Sequence, residues 1–434
     1  MKEIGIGVLG FGTVGAGVVQ ALIQNADLLA DRSGVRLVLR KVVDRDITTD
    51  RGVALQPGIL STNVSDVLDA ADIDIVVELI GGTTIAKEFM IKALSNGKSV
   101  VTANKALLAE CGEEVFKAAE EHHTDLFYEA SVGGGIPVIK ALREGLVANH
   151  IDSIYGILNG TCNYILTRME RDGDAFDDVL KDAQALGFAE AEPGLDIDGV
   201  DTAHKAVLLA SIAFGRTVTM DEVYTEGIRG LSTIDIRYAL ELGYRIKLLG
   251  VIRRHNDALD VRVHPTLVPV DHMLAKVDGV YNAVLVNGDI VGQTLYYGRG
   301  AGREPTASAV VADIVDIARN IALDAPHRLA PQHAQSNPLR ICPVEEIEAR
   351  YYLRLSLLDR PGTLAAVAKT LGDHGISIAS VIQKTATVGD YVPAIILTRS
   401  SEVRNVLNAI ADLEKMDVVG PEIVRFMVHD LDYA

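Results

Sequence analysis

The chain has 434 residues, enough for two to four domains, and its 48% hydrophobic and 23% charged residues are typical of a globular protein. A formal net charge of −18 argues against a nucleic-acid surface. No apolar run approaches the roughly 20 residues of a membrane span. The first residues do not resemble a signal peptide. The three cysteines are widely spaced, which favours a reducing compartment. We therefore expect a cytoplasmic enzyme or sensor without membrane or nucleic-acid partners.

The first apolar segment leads directly into a glycine-rich turn. Residues 4–9 are expected to form a buried strand, and a helical pattern follows from Thr13 to about Leu29. Between them lies the run Gly10-Phe11-Gly12-Thr13-Val14-Gly15. In this context Gly10 permits the tight turn, Gly12 admits a pyrophosphate and Gly15 permits close helix–strand packing. The run predicts a dinucleotide site at the helix start, although a glycine-rich turn of another α/β domain has the same local pattern.

The second strand ends at a group of charged residues. Residues 36–43 form an apolar run that stops at Asp44-Arg45-Asp46. An acid at this position binds the ribose hydroxyls of NAD, whereas a nearby arginine accommodates the 2′-phosphate of NADP. Because Asp44 and Arg45 are adjacent, the sequence leaves both cofactors open.

Strands and helices then alternate along the chain. Strands are expected at residues 74–79, 98–102 and 125–130, with helices at 84–94 and after Asn104. This order predicts a mostly parallel, doubly wound, Rossmann-type sheet with ligands beyond the carboxyl ends of its strands. Thr83 and Lys105 come at those ends, on the cofactor side, although a surface charge explains Lys105 equally well.

A glycine run follows the last of these strands. It extends from Glu129 to Pro137 and contains Val132, Gly134 and Ile136. Glycine permits close backbone approach, and carbonyl oxygens beside a carboxylate suit a hard cation. A plain crossover between domains is the simpler interpretation from spacing alone.

The most acidic part of the chain lies near its middle. A helix over residues 176–186 is expected to end at Gly187, and the acids that follow before Lys205 are Glu190, Glu192, Asp196, Asp198 and Asp201. Asp201 occupies a position where a helix N-terminus favours a carboxylate, and Lys205 lies four residues further on the same face. A buried lysine needs such a partner, so the pattern suggests a proton-handling lysine. A solvated acidic loop with an ordinary ion pair is the alternative.

The remaining segments predict two further domains and a linker. Strand pairs at 246–253 with 259–264, which turn at Asn256-Asp257, and at 281–286 with 290–297 indicate a partly antiparallel α+β domain. A glycine-rich loop containing Gly302 then precedes a helix and is either an anion site or a plain loop. Four prolines between 326 and 343 indicate a linker, and the order βαββαβ from 351 to 428 predicts a ferredoxin-like domain. We expect domains at 1–135, 136–322 and 350–430, with the linker at 323–349.

Together, these motifs resemble the homoserine dehydrogenase family with a C-terminal ACT domain. The signature residues at matching spacing are Ala183, Gly187, Phe188, Ala189, Pro193, Asp196, Gly199, Asp201 and Lys205. Glu192 departs from the pattern, since a shorter side chain is usual before Pro193. The companion motifs are Thr102-Ala103-Asn104-Lys105, residues 129–137 and Asn159-Gly160-Thr161-Cys162-Asn163-Tyr164, and residues 357–375 are similar to the ACT module.

The resemblance implies reversible reduction of L-aspartate 4-semialdehyde to L-homoserine by NADPH or NADH. It implies that Lys205 is the proton donor, that Lys105 serves substrate and cofactor, and that Glu190 and Asp201 bind substrate; we expect Asp196 and Thr161 to join them. The implied dinucleotide contacts are Phe11, Thr13, Val14, Gly187 and Gly302. The implied sodium ligands are Glu129, Val132, Gly134 and Ile136, three of them through backbone oxygens.

The ACT resemblance implies an amino-acid effector, with threonine expected by family analogy, and a homo-oligomer (dimer or tetramer), because such modules pair across chains. Two alternatives are an oxidoreductase for another amino-acid aldehyde or keto acid, and a non-catalytic nucleotide-dependent amino-acid sensor. The acid-rich stretch that ends at Lys205 argues against the sensor, which needs no proton donor.

Overall fold

The computed structural model describes residues 1–255, 257–329, 339–384 and 391–429. The chain divides into two compact units. The first contains Met1–Gly160, Ala203–Asp221 and Tyr281–Leu339, and the second contains Thr161–Thr202, Glu222–Val280 and Arg340–Ala434. No helix in the described ranges is both long enough and apolar enough to cross a membrane.

The first unit is built on a parallel sheet. Its N-terminal elements are β1 (Lys2–Leu9), α1 (Thr13–Gln24), α2 (Ala26–Ser33), β2 (Val35–Val43), β3 (Leu60–Ser61), α3 (Ser65–Leu68), β4 (Ile75–Glu78), α4 (Ile85–Ser95), β5 (Ser99–Thr102), α5 (Lys105–Glu121) and β6 (Leu126–Phe127). The strands follow the order β3-β2-β1-β4-β5-β6, all parallel. This order confirms the predicted Rossmann-type sheet, with Ile4, Ile6 and Val8 of β1 completely buried.

Two local predictions in this sheet were wrong. The helix expected from Thr13 to Leu29 is two helices, because Asn25 (φ −105°, ψ 18°) leaves helical geometry between α1 and α2. The strand expected to reach residue 130 ends at Phe127, and the 3₁₀ turn Glu129–Ser131 follows it.

The middle of the chain contributes to both units. Its elements are α6 (Val138–Lys140), β7 (Ile151–Ile157), α7 (Gly160–Asp172), α8 (Phe176–Ala185), α9 (Gly194–Ile197), α10 (Val200–Phe214), β8 (Tyr224–Thr225), α11 (Thr233–Glu241), β9 (Tyr244–His255), β10 (Ala258–Pro269), β11 (Tyr281–Gly288), β12 (Gly292–Arg299) and α12 (Arg303–Ala322). In the first unit, β11 pairs antiparallel with β7 and β12. In the second, β9 and β10 form a longer antiparallel pair than predicted; Asn256 of their turn lies outside the described residues.

The tail forms the predicted ferredoxin-like layer. Its elements are β13 (Arg340–Ile341), β14 (Glu348–Leu358), α13 (Thr363–Asp373), β15 (Ile378–Gln383), β16 (Tyr391–Thr398), β17 (Ser401–Glu402), α14 (Val403–Leu413) and β18 (Val419–Val428). The antiparallel order is β18-β14-β16-β15, with a core that includes Leu353, Val367 and Ile410. β18 also pairs in parallel with β10, so the strands of the tail continue the sheet of β9 and β10. The predicted linker contains β13, which pairs with β10, while residues 330–338 lie outside the described ranges.

Candidate active site

The carboxyl ends of the parallel strands open onto a cleft of about 740 Å³. Its walls come mainly from the loops after β1, β2 and β4. The predicted cofactor residues that line it are Gly10, Gly12, Asp44, Arg45 and Thr83. The structure therefore brings these five residues together at the edge where parallel sheets bind ligands.

Close backbone contacts shape the glycine turn of this cleft. A Cβ at Gly10 would lie 2.6 Å from the carbonyl oxygen of Leu79, and one at Gly15 would lie 2.0 Å from that of Gly10. A Cβ at Gly12 would meet nothing within 4 Å, so the backbone there faces open space. Gly12 precedes α1 without a side-chain cap, an arrangement in which the first N–H groups of the helix suit a pyrophosphate.

Asp44 faces the glycine turn. Its Oδ2 accepts the N–H of Phe11 at 2.5 Å, and its Oδ1 accepts the N–H of Asp46 at 2.9 Å. Both carboxylate oxygens therefore bind main-chain donors in addition to any ribose hydroxyl. Arg45 beside it is exposed on the cleft wall.

Three of the other predicted dinucleotide residues, Phe11, Thr13 and Val14, lie at the start of α1. Phe11 is buried in the hydrophobic core of the first unit, while Thr13 is exposed and Val14 is half-buried. Gly302 (φ 124°) immediately precedes α12. The next residue, Arg303, donates to the side-chain oxygen of Gln20 on α1 at 2.8 Å, which holds the start of α12 against α1.

A buried glutamate that sequence interpretation missed organises two loops of the cleft. Glu78, the last residue of β4, is completely buried. Its Oε1 accepts the N–H groups of Ile80 (2.8 Å) and Gly81 (3.1 Å), and its Oε2 accepts the Thr102 hydroxyl at 2.7 Å. The available signal was a carboxylate inside an apolar strand, where an acid is tolerated only with hydrogen-bond donors.

Lys105 begins α5 next to this network. Asn104 caps the helix by accepting the N–H of Leu107, and its side-chain amide donates to the Gly82 carbonyl at 2.8 Å. The loop after β4 is therefore attached to the helix that carries Lys105. Lys105 itself is half-buried, which weakens its interpretation as an ordinary surface charge.

Lys205 is buried on α10, with 8% of its surface exposed. Its ammonium group donates to the Leu158 carbonyl at 2.6 Å. The preceding residue, His204, contacts Glu110 of α5 at 3.2 Å, which joins α10 to the helix that begins with Lys105. Asp201, one turn earlier on α10, is equally buried.

In the second unit, the first turn of α7 binds the main chain before and after Glu190. The Thr161 hydroxyl donates to the Phe188 carbonyl at 2.6 Å. The Cys162 thiol donates to the Asp196 carbonyl at 3.2 Å. These two hydrogen bonds therefore keep Thr161 close to the main chain of Asp196.

The beginning of the acidic stretch is held by α8. Gly187 (φ 74°) follows the end of α8 in the left-handed conformation that favours glycine. The Gln184 amide donates to the Glu190 carbonyl at 3.0 Å. The Glu190 side chain is exposed, and that of Asp196 is half-buried.

Glu129, the first of the predicted cation residues, is a buried carboxylate. The two oxygens of Glu129 accept the N–H groups of Ile139 (2.9 Å) and Lys140 (2.7 Å), and burial raises its pKa to about 7. Among the described residues, no group of three or more His, Cys, Asp or Glu side chains is placed to hold a metal ion. Val132, Gly134 and Ile136 are buried in the run that follows Glu129, and Gly134 has a φ of 53°.

The tail contacts α11 through buried charges. Asp235 of α11 is 1% exposed and accepts from Arg354 of β14 at 2.6 and 3.1 Å. The Tyr352 hydroxyl, on the same strand, donates to Asp235 at 2.9 Å. Lys384, beyond β15, bonds the carboxylate of Glu241 at the other end of α11. Sequence interpretation did not predict α11 or these contacts.

Comparison with known proteins agrees with this architecture. The sequence matches three family models: "Homoserine dehydrogenase, NAD binding domain" over residues 10–129, "Homoserine dehydrogenase" over 137–315, and "ACT domain" over 351–415. Homoserine dehydrogenase of Neisseria gonorrhoeae is 48% identical, over 99% of this chain and 100% of its own. The Pseudomonas aeruginosa enzyme is also 48% identical, over the whole of both chains.

Solved structures show the same relationship. The crystal structure of a homoserine dehydrogenase from Thiobacillus denitrificans superimposes with a TM-score of 0.94, at 49% identity and 99% coverage of both chains. A hyperthermophilic archaeal homoserine dehydrogenase in complex with NADPH superimposes with a TM-score of 0.61, at 27% identity, over 73% of this chain and 98% of its own. The resemblance found in the motifs is confirmed: the chain belongs to the homoserine dehydrogenase family of NAD(P)-dependent oxidoreductases and carries a C-terminal ACT domain.

Proposed function

We propose that the protein reduces L-aspartate 4-semialdehyde reversibly to L-homoserine, with Lys205 as the proton donor. The observation that carries this proposal is the buried ammonium group of Lys205 on a helix joined to the one that begins with Lys105. Burial of a lysine is costly and is expected where its charge is used. The family to which the chain belongs supplies the reaction.

The chemistry follows from charge development. When bound, the nicotinamide cofactor supplies the hydride. As the aldehyde carbon accepts it, negative charge develops on the aldehyde oxygen, and the Lys205 ammonium stabilises that charge and transfers a proton to it. In the reverse direction the amine accepts the proton of the homoserine hydroxyl. Asp201, one turn earlier on α10, places a carboxylate on the same face of the helix.

The substrate carries an ammonium and a carboxylate, and we assign partners to each. Glu190 and Asp196 supply anionic partners for the ammonium, and Thr161 supplies a hydroxyl beside them. Lys105 supplies a cation for the substrate and for the cofactor. This assignment is supported by the hydrogen bonds that the first turn of α7 donates to the main chain of the acidic stretch and of Phe188 before it.

For the cofactor, we propose that the dinucleotide occupies the cleft beyond β1, β2 and β4, with its pyrophosphate on the glycine turn and further contacts from Phe11, Thr13, Val14, Gly187 and Gly302. When NADPH is bound, the Arg45 guanidinium binds its 2′-phosphate. The exposed position of Arg45 on the cleft wall supports this assignment.

We further propose a sodium ion bound by Glu129 and by the main-chain oxygens of Val132, Gly134 and Ile136, an amino-acid effector such as threonine at the ACT domain, and a homo-oligomer. Each oxygen of the Glu129 carboxylate accepts one N–H group, which leaves a second lone pair for a cation. The cytoplasm is the proposed compartment, since Cys111, Cys162 and Cys342 are all free.

A kinetic assay tests the function. We expect the protein to oxidise NADPH or NADH with L-aspartate 4-semialdehyde, and to reduce NADP or NAD with L-homoserine, each with and without threonine. Other amino-acid aldehydes should react at least tenfold more slowly in kcat/KM, because a different chain length displaces the aldehyde carbon from the nicotinamide when the ammonium and carboxylate are paired. A protein that binds NADPH but oxidises none of it with the semialdehyde would instead be a sensor.

A further inference from the structure

A buried cation lies on β9, outside the residues assigned above. Lys247 has 1% of its surface exposed. Its ammonium group donates to the Val277 carbonyl at 2.5 Å, to Asn163 Oδ1 at 3.2 Å and to Asp278 Oδ1 at 3.3 Å. Three donors therefore meet three acceptors, the full hydrogen-bonding capacity of an ammonium group.

Stability alone does not account for a lysine at this position. Burial, reinforced by repulsion from Arg245, lowers the pKa of Lys247 to about 8, although Asp278 and Glu170 oppose the shift. An apolar side chain of similar volume is often as stabilising as a buried ionic group. A charged group retained under such a penalty is better explained by the geometry that it imposes on its partners.

One of those partners belongs to the turn that holds the acidic stretch. Asn163 accepts from Lys247 and donates to Val277 through its amide nitrogen at 3.2 Å. The two residues before it, Thr161 and Cys162, donate to the carbonyls of Phe188 and Asp196. Three successive residues of α7 thus bind the buried lysine on one side and, on the other, the main chain before and after Glu190.

We propose that Lys247 is a positioning residue for the amino-acid substrate: through Asn163 it fixes the first turn of α7, and this turn fixes the main chain that presents Glu190 and Asp196. The proposal rests on the assignment of these two acids to the substrate under the proposed function. Because Lys247 contacts no reacting atom, its loss should change substrate affinity more than turnover.

Arg245 provides a matched control on the same strand. It bonds Glu170 and Asp278 at 2.8 and 2.7 Å, and it also donates to the Ala275 carbonyl. It therefore joins β9 to the same helix and the same loop as Lys247, but at the last turn of α7 rather than the first. A purely structural role of the network predicts equal effects of the two substitutions.

The decisive kinetic experiment compares Lys247→Met with Arg245→Met in the full chain. We expect Lys247→Met to raise the KM for the semialdehyde about tenfold, with kcat and the KM for NADPH changed less than about threefold. Arg245→Met should leave all three within about threefold. An unchanged semialdehyde KM in Lys247→Met, or an equal rise in both variants, would overturn the proposal.

Hydrogen exchange gives a measurement that does not require turnover. We expect faster amide exchange over residues 188–196 in Lys247→Met, and wild-type rates in Arg245→Met. Should Lys247→Met fail to fold, Asn163→Ala removes the same link while the lysine keeps Val277 and Asp278, and the same faster exchange is expected. A wild type that is inactive with the semialdehyde would refute the proposed function, whereas unchanged exchange in these variants would refute the positioning role alone.

Discussion

Lys205 is the residue on which the proposed chemistry depends most directly. Lys205→Ala removes the proton donor but leaves the cleft beyond β1, β2 and β4 intact, because that cleft is lined by other residues. We expect turnover to fall by about 10²- to 10⁴-fold, the usual contribution of acid–base catalysis, with NADPH affinity retained. Steady-state kinetics and fluorescence titration with NADPH measure the two quantities. Lys117→Ala, at an exposed position of α5, is the control, and near-normal turnover of Lys205→Ala would refute the assignment.

Substitution of Arg45 tests the choice between NADPH and NADH. NADPH differs from NADH by one phosphate, so removal of a guanidinium that binds this phosphate should affect NADPH alone. We expect Arg45→Ala to raise the Kd of NADPH about tenfold and to leave that of NADH unchanged, because a charge-assisted hydrogen bond contributes about 1.5–3 kcal/mol. Equal effects on both cofactors would show that Arg45 does not read the 2′-phosphate.

His264 makes the free energy of unfolding depend on pH. It is 3% exposed on β10, and burial lowers its pKa from 6.5 to about 3. Between these values the unfolded chain binds a proton that the folded chain does not, so the free energy of unfolding falls as the pH falls from 6.5 towards 3. His264→Leu removes this contribution, up to about 1.4 kcal/mol per pH unit. Urea unfolding at pH 7 and pH 5 measures it, and a slope equal to that of an exposed-site control, His150→Leu, would contradict the burial argument.

At the scale of elements, Gly227 determines how closely two segments of the second unit approach. A Cβ there would lie 2.0 Å from the Ile197 carbonyl oxygen and 2.4 Å from the Asp198 Cα, and the N–H of Ile228 donates to the same carbonyl at 2.8 Å. Gly227→Ala must therefore displace the main chain that follows Asp196. We expect a loss of about 1–3 kcal/mol in the free energy of unfolding and a higher semialdehyde KM.

Gly372→Ala supplies the control for this substitution, because a Cβ at Gly372 in α13 would meet nothing within 4 Å. Urea denaturation and steady-state kinetics of the two variants provide the comparison. If the two variants have equal free energies of unfolding and equal KM values for the semialdehyde, the two segments can move apart at Gly227 without loss of stability or substrate affinity.

The elements that the sequence predicted well are those whose signal is local. The strand, glycine turn and helix at residues 4–24 could be predicted because apolar period and glycine spacing lie within one short segment. β10 was underestimated because the predicted strand stopped before Pro265, a residue that usually ends a strand, whereas the observed strand continues through it to Pro269. α11 was missed because nine residues carry too weak a periodic signal.

Prediction of the candidate site from the sequence is limited in the same way, to what local patterns encode. Types of residue and their order along the chain identified Lys105, Lys205 and the acidic stretch. The contacts that hold them come from partners far apart in sequence, such as Glu78 with Thr102 or Lys247 with Asn163. No local pattern encodes such a pair, so these supporting residues appear only in three dimensions.

For the whole molecule, the contact between the ACT strands and α11 is the testable feature. Asp235→Asn keeps the shape of the side chain but removes the charge that pairs with Arg354. If this contact transmits the effector signal, the concentration of threonine for half-inhibition should change about fivefold or more, with basal kcat/KM within about threefold. Asp412→Asn, which alters an exposed ion pair on α14, is the control. An identical threonine response in the two variants would place the coupling elsewhere.

The parallel pairing of β10 with β18 has a consequence for synthesis of the chain. β10 ends at Pro269, whereas β18 begins at Val419, so a ribosome that adds roughly 5–20 residues per second needs about 8–30 seconds to supply the missing neighbour. During that interval the end of β10 at Thr266 and Leu267 lacks the neighbour that covers it in the complete chain, whereas Arg262 and Val263 can already pair with β8. We therefore expect the exposed edge of the growing polypeptide to be confined to this short end of β10 until the last strand has emerged.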